Sequence, residues 1–282
     1  MPIPVSAAPR RSAGSPMIPH GLLFLSAAAI VFLVVCLTFA RRDSLPPTSI
    51  PVGIALLIDI SDSMPFVYGL PSDGGVRLDP EYLDSVLSVI EQSIGYNRKI
   101  HVALVANGAS AAQDFEIPPA GDDMEDLLKS RSVCKVTMPS IRAFLNASLK
   151  GPESGYTDVV GALERLSSSD PNRTWQIVIA SDGLQAAKRP MGTVNLEKNI
   201  VTDANVNQFV RLAGPNSPLT GLRGASIEFV VPVRAADDTR FANDVLSTRL
   251  FWSKWLTDYA PSAKLYSFET YAKPWNDAGG CQ

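Results

Sequence analysis

A cluster of hydroxyl and carboxylate side chains follows directly on one of the most apolar segments of the chain. In ALLIDISDSM, residues 55–64, a run typical of a buried strand ends in four oxygen-bearing side chains: Asp59, Ser61, Asp62 and Ser63. Such a cluster suits a helix N-cap or an Asx-turn, and it equally suits a cation site. Both interpretations are open from this segment alone.

Two more oxygen-bearing groups follow predicted elements further along the chain. GYTD, residues 155–158, opens a predicted helix with Thr157, and IVIASDG, residues 177–183, carries Asp182 just after an apolar strand. Taken singly, the first suits an N-cap and the second a tight turn. Because doubly wound sheets bind ligands beyond the carboxyl ends of their strands, we expect the three loops to converge. Without sulfur or imidazole, the combined set predicts a site for a hard cation: Mg²⁺, Mn²⁺ or Ca²⁺.

The elements that would position these loops alternate in the manner of an α/β domain. Nearly continuous apolar runs predict strands covered on both faces, and amphipathic segments between them predict helices. The pattern predicts a Rossmann-like, doubly wound, mostly parallel sheet flanked by helices, with a long excursion over 183–224. The predicted strands are Val52–Ile58, Ile100–Ala106, Trp175–Ala180, Ile227–Val233 and Leu265–Glu269, with Gln113–Ile117 at an edge; the predicted helices are Pro80–Ile94, Asp158–Leu166, Asn205–Leu212 and Asp238–Tyr259.

The N-terminal region carries a membrane signal. Residues 21–40, GLLFLSAAAIVFLVVCLTFA, are uncharged and flanked by arginine pairs, and about 20 apolar residues suffice to cross a bilayer as a helix. A buried helix and a cleavable signal peptide are the alternatives. The length of the apolar run, and the arginines that follow it at once, favour an uncleaved transmembrane signal anchor.

This signal predicts the organisation and location of the chain. We expect a single-pass protein of the bacterial inner membrane with its main domain exported, which would permit a disulfide between Cys134 and Cys281. The expected segments are a disordered tail (1–20), the signal anchor (21–40), a linker (43–50), the α/β domain (51–271) and a C-terminal tail (272–282).

Composition and motifs argue against several function classes. A net charge of −3 and a pI of about 5.5 give no reason to expect nucleic-acid binding. The chain has two histidines and no G-x-S-x-G, and His101 lies inside a predicted strand, so a Ser–His–Asp hydrolase is disfavoured. It also has no Walker or G-x-G-x-x-G loop, so no nucleotide is expected. We predict no catalytic residues and no enzyme.

Three motifs resemble those of von Willebrand factor type A (vWA) domains. LLIDISDSM is similar to the family's DxSxS signature, YTDVVGALERL to its threonine loop and following helix, and IVIASDG to its strand-borne aspartate. The resemblance covers residues 51–271. It implies a metal-ion-dependent adhesion site in which the serine hydroxyls bind the cation directly and the other groups bind it directly or through water; its residues would be Asp59, Ser61, Ser63, Thr157 and Asp182.

The chain departs from the family pattern at two points. Asp62 occupies a position where many members have glycine, and we expect its side chain to face solvent. The last predicted strand ends near Glu269, so the further helix that couples metal coordination to affinity in integrin-like members is not expected.

The expected function is that of a membrane-anchored module whose cation binds an Asp or Glu of a protein partner. An alternative is a structural envelope or complex-assembly subunit in which the metal is incidental. A metal-dependent phosphatase is a remote alternative, because LLIDIS resembles a DxDxT loop but has Ser61 where the second carboxylate would stand.

Overall fold

The structure is a computed structural model that describes residues 52–61, 67–69, 76–78, 80–105, 111–121, 123–148, 156–231 and 239–269. The chain divides into two units, Met1–Ser49 and Ile50–Gln282, and every described residue lies in the second. The predicted tails, signal anchor and linker therefore lie outside the described residues. Within the described part, no helix is both long and apolar enough to cross a membrane.

A six-stranded sheet forms the centre of the second unit. Its strands lie in the order β10-β9-β6-β1-β4-β5, and every neighbouring pair is parallel except β4 and β5. This arrangement confirms the predicted mostly parallel α/β fold and the predicted edge strand. The strands are β1 Val52–Asp59, β2 Val67–Gly69, β3 Val76–Leu78, β4 Arg98–Val105, β5 Ala112–Ile117, β6 Thr174–Ala180, β7 Ala186–Arg189, β8 Gly192–Asn195, β9 Ser226–Val230 and β10 Lys264–Glu269.

Helices cover both faces of this sheet. Side chains of α1 and α2 pack on the face that receives Ile54, Leu56 and Ile58, whereas those of α3 and α5 pack on the face that receives Ala55 and Leu57. Because successive side chains of a strand point to opposite faces, both must be apolar, which explains the continuous apolar run of β1. The helices are α1 Pro80–Ser93, α2 Met124–Ser148, α3 Val159–Ser169, α4 Val206–Leu212 and α5 Thr239–Tyr259, with a 3₁₀-helix at Thr220–Leu222.

Several boundaries differ from those predicted. The strand predicted over Ile227–Val233 ends at Val230, and the one predicted from Ile100 begins at Arg98. Lys99 and His101 lie within β4 and are both nearly buried, because Asp114 on the neighbouring strand accepts hydrogen bonds from their side chains. A partner across the sheet thus accommodates Lys99, a charged residue that the predicted apolar strand had left out.

Three further elements were not predicted. Helix α2 is 25 residues long and contains Pro139, while the hairpins β2–β3 and β7–β8 are built from strands of three and four residues. Cys134 lies on the buried side of α2 and is disulfide-bonded. Because Cys36 and Cys281 lie outside the described residues, the pairing of Cys134 with Cys281 stays a prediction.

Candidate metal centre

The candidate site lies where the order of the strands reverses. β1 is the central strand and pairs with β4 on one side and β6 on the other. From β1 the chain continues to β4 and β5, whereas from β6 it continues to β9 and β10 in the opposite direction. Crevices at such reversals, beyond the carboxyl ends of the strands, are the usual ligand sites of open α/β sheets. Asp59 ends β1, and Ser181 and Asp182 directly follow β6.

Asp59 is the centre of the hydrogen bonds at this point. Its Oδ1 accepts from the backbone N–H of Ser61 over 2.9 Å and from the hydroxyl of Thr157 over 3.4 Å. Its Oδ2 accepts from the hydroxyl of Ser181 over 2.6 Å. All four residues are fully buried. The structure therefore brings together three predicted site residues from two separate loops: Asp59, Ser61 and Thr157.

The electrostatics of Asp59 are those of a buried carboxylate among neutral groups. Burial raises its pKa from 3.8 to about 6, although the hydrogen bonds from Ser181, Ser61 and Thr157 act in the opposite direction. None of these three donors carries a charge. A bound cation would supply the missing positive charge, so the donor set fits a hard divalent metal.

Thr157 and Asp158 have different roles in their loop. The carboxylate of Asp158 accepts from Gly161 N–H over 3.0 Å and caps α3. Thr157 instead turns its hydroxyl to Asp59, and its carbonyl accepts from Ala186 N–H over 2.9 Å. The N-cap interpretation is thus correct for Asp158, while Thr157 remains available to the site.

The loop after β6 is a tight turn that carries Asp182. Asp182 Oδ1 accepts from Leu184 N–H over 3.0 Å, and Ser181 Oγ accepts from Gly183 N–H over 2.9 Å. Gly183 has a φ of 75°, a conformation that side chains disfavour. After burial, the charges of Asp59 and Asp182 both raise the pKa of the same phenol, that of Tyr82. The tight turn predicted for the segment around Asp182 is therefore present, and it is compatible with a place for Asp182 in the site.

The remaining predicted site residue, Ser63, lies outside the described residues, and so does Asp62. Within the described ranges, no group of three or more His, Cys, Asp or Glu side chains is placed to hold a metal. The candidate centre has two carboxylates, and hydroxyls make up the rest of its donor set. Metal binding by the five residues therefore stays a prediction.

The structure adds residues that the sequence interpretation missed. Ser181 contacts Asp59 directly, and its position immediately after β6 was the available signal. Tyr82 donates from its phenol to the carbonyl of Val230 over 3.0 Å; burial first, then Asp59 and Asp182, raise its pKa. Gln185 and Arg189 contact Asp158 from the segment after β6, and no local pattern marks them.

His101 belongs to a different place in the sheet. It lies four residues before Val105, which is the β4 residue paired with Asp59. Its Nδ1 is 2.7 Å from Oδ1 of Asp114, and its ring meets that of Trp175 edge-on at 6.4 Å. These contacts give His101 a packed, paired environment on the β4–β5 edge.

The fold is that of a doubly wound α/β protein, and oxygen-bearing side chains cluster at the point where the order of its strands reverses. No family model matches the chain, and no curated protein matches it. Solved structures do match. BatB, a conserved hypothetical protein from Bacteroides thetaiotaomicron, shares 12% identity over 77% of this chain and 91% of that one, with a TM-score of 0.35.

Two other matches have similar statistics. An aerotolerance-related membrane protein from Bacteroides fragilis shares 12% identity over 78% of this chain and 92% of that one, with a TM-score of 0.31. The SpRpn10 VWA domain shares 13% identity over 78% of this chain and 89% of that one, with a TM-score of 0.34. A vWA domain is thus among the solved structures to which this chain is similar. Residue roles rest on the contacts of this chain.

Proposed function

We propose that this protein is a membrane-anchored vWA-type module that binds a divalent cation and uses it to hold an acidic side chain of a protein partner. The ligands would be Asp59, Ser61, Ser63, Thr157 and Asp182. The observation that carries the proposal is the fully buried carboxylate of Asp59, whose described hydrogen-bond partners are all neutral.

The physical reason is the cost of burying charge. A carboxylate removed from water without a counter-charge is strongly disfavoured, and its raised pKa expresses that cost. A divalent cation would offset the charge of Asp59 and Asp182 together. Because the other proposed ligands are neutral hydroxyls, the bound cation would keep an attraction for one further carboxylate, which a partner would provide.

Cation binding is the first test, and it uses the full chain in detergent. We expect calorimetric titration with Mg²⁺ and Mn²⁺ to show binding, and either cation to raise the temperature of unfolding relative to EDTA. Asp59→Ala and Asp59→Asn should abolish both effects. Asp84→Asn is the matched control, since Asp84, on α1, forms an exposed ion pair with Arg142 of α2. A folded wild-type protein whose stability is indifferent to these cations would refute the metal site.

Partner binding is the second test. Partners captured by cross-linking in membranes should no longer be captured when EDTA is added before the cross-linker or when Asp59→Ala replaces wild type, and they should still be captured by Asp84→Asn. Association unchanged by both treatments would instead support the structural-subunit alternative. A periplasm-active reporter enzyme fused after Gln282 tests the predicted export of the main domain; activity of a cytoplasm-specific reporter would contradict it.

A further inference from the structure

The segment that follows Asp182 also contacts the loop that carries Thr157. Ala186 N–H donates to the Thr157 carbonyl over 2.9 Å, only four residues after Asp182. The first residue of this segment is fixed from outside, because the indole N–H of Trp252 donates to the Gly183 carbonyl over 2.9 Å. Two of the proposed ligand loops are therefore joined by one short, anchored stretch of chain.

Gln185 joins the same two loops through its side chain. It is fully buried, and both ends of its amide are used. Its Oε1 accepts from Val160 N–H over 3.2 Å, in the first turn of α3, and its Nε2 donates to Oδ1 of Asp158 over 2.8 Å. One side chain thus satisfies a helix-terminal N–H group and holds the carboxylate that caps the same helix.

Arg189 holds Asp158 from a second direction. Its guanidinium is nearly buried between Asp158, at 3.3 Å, and Glu164, at 2.5 Å. Glu164 is fixed in turn by Asn216, which donates to it from both its backbone N–H and its side-chain amide. The guanidinium is the positive partner that both carboxylates share, so losing it would leave two largely buried negative charges without that partner.

These contacts decide which way neighbouring side chains face. The oxygens of Asp158 are engaged by Gly161, Gln185 and Arg189, and none of the hydrogen bonds described for Asp158 involves Asp59. With Asp158 held there, the adjacent Thr157 presents its hydroxyl to Asp59. Thr157 is thus held at two points: Ala186 bonds to its carbonyl, and Gln185 and Arg189 hold Asp158, the next residue.

We infer that Gln185 and Arg189 are positioning residues of the proposed cation site, holding Asp158 off the cation and the Thr157 hydroxyl towards it. This inference rests on the proposed function. Removing a group that orients a metal ligand commonly lowers metal affinity by roughly 10- to 100-fold. Neither residue touches Asp59 in the described contacts, so their effect on a cation would pass through Thr157 and Asp158.

The test measures Mn²⁺ affinity by electron paramagnetic resonance on the full chain in detergent. Gln185→Met keeps the length of the side chain and removes its hydrogen bonds, and Arg189→Met removes the guanidinium. We expect each to weaken Mn²⁺ binding about 10-fold, with Arg189→Lys intermediate because it keeps the charge. Gln176→Met is the matched control, since Gln176 lies four residues before the end of β6, and its affinity should equal that of wild type.

Thermal unfolding in EDTA separates positioning from stability. If Gln185 has a purely structural role, Gln185→Met will lower the unfolding temperature and leave the Mn²⁺ affinity of the folded fraction unchanged. That result would overturn the inference about positioning. The proposed function would still stand, provided that Asp59→Ala abolishes Mn²⁺ binding. A wild-type protein that does not bind Mn²⁺ overturns both. If Arg189→Met fails to fold, Gln185→Met and Arg189→Lys decide the matter.

Discussion

The hydroxyl of Ser181 donates to Oδ2 of Asp59 over 2.6 Å, and this contact joins the ends of β6 and β1 through their side chains. Both residues are fully buried. A hydrogen bond to the ionised form favours ionisation, so Ser181 opposes the larger effect of burial on the pKa of Asp59. Of the hydrogen bonds that lower this pKa, the one from Ser181 has the largest effect.

Ser181→Ala should therefore raise the pKa of Asp59 further and weaken cation binding near pH 6. We expect a loss of affinity of about 10-fold there, because a hydrogen bond to a charged group contributes roughly 1.5–3 kcal/mol. Calorimetric titration with Mg²⁺ between pH 5.5 and 8 measures the effect. Ser88→Ala is the control, since the Ser88 hydroxyl bonds to the Ser85 carbonyl within α1. Equal affinities in the two variants would contradict the prediction.

The stability of the metal-free protein should fall as the pH rises. The pKa of Asp59 is raised from 3.8 to about 6 in the folded state, so the folded protein holds this proton more tightly than the unfolded chain does. The resulting stabilisation is complete below pH 3.8 and is lost as the pH rises through about 6. It amounts to about 3 kcal/mol at most.

Urea unfolding in EDTA at pH 4.5 and 7.5 measures this effect. Asp59→Asn does not titrate, so the difference in unfolding free energy between wild type and this variant isolates the contribution of Asp59. We expect wild type to lose stability relative to the variant between the two pH values. With excess Mg²⁺ the trend should reverse, because the cation binds the ionised carboxylate. A pH-independent difference would argue against the buried-carboxylate account.

Asp114 should stabilise the protein in the opposite pH range. Burial alone would raise its pKa, but hydrogen bonds from Lys99 and His101 and their charges outweigh it, and the pKa is lowered. A lowered pKa gives stability that is present above 3.8 and lost as the pH falls below it. Because the Asp114 side chain is 42% exposed, we expect Asp114→Asn to cost less than about 1 kcal/mol at pH 6.

Unfolding of wild type and Asp114→Asn at pH 6 and pH 3 tests this expectation. The two proteins should converge in stability at the lower pH. A variant that loses more stability relative to wild type at pH 3 than at pH 6 would contradict the assignment.

Two tryptophans of α5 offer a matched pair of substitutions. Trp252 donates from its indole N–H to the carbonyl of Gly183, and Trp255 donates to that of Ala213 over 3.0 Å. Both rings are fully buried, so Trp252→Phe and Trp255→Phe should each destabilise by about 1–3 kcal/mol. Only Gly183 adjoins Asp182. We therefore expect Mn²⁺ affinity to fall in Trp252→Phe and not in Trp255→Phe; the reverse order would be inconsistent with an anchored Asp182 loop.

The sequence predicted the sheet well because its central strands are covered on both faces. β1 and β6 need apolar side chains at nearly every position, and that requirement is visible in VGIALLI and WQIVIA. The polar residues after these strands could be assigned to one place because parallel strands end at the same edge. The expectation that Asp59 and Thr157 lie close together followed from this property of a parallel sheet.

Helix α2 was missed for a physical reason. Its buried side includes Ser130 and Thr137, whose hydroxyls bond to the carbonyls of Pro119 and Val133. A helix that buries hydroxyls does not show an apolar stripe of period 3.6. Pro139, inside the helix, is a residue that normally argues against one.

The contacts of Gln185 and Arg189 could not be predicted either. Gln185 is 27 residues from Asp158, and Arg189 is 31 residues from it. Neither belongs to a repeated spacing or a motif, and both are polar residues of a segment rich in turns. Their roles depend on how the β7–β8 hairpin packs against α3, which is a property of the tertiary structure.

The edge strand β5 has a consequence for the solution behaviour of the protein. An edge presents unpaired backbone groups to other chains, and strand addition there leads to aggregation. β5 carries Asp114 and Glu116, both exposed, and is followed at once by Pro118 and Pro119. Acidic side chains repel an identical strand, and proline offers it no N–H group. The residues of β5 and the two prolines after it therefore protect this edge from self-association.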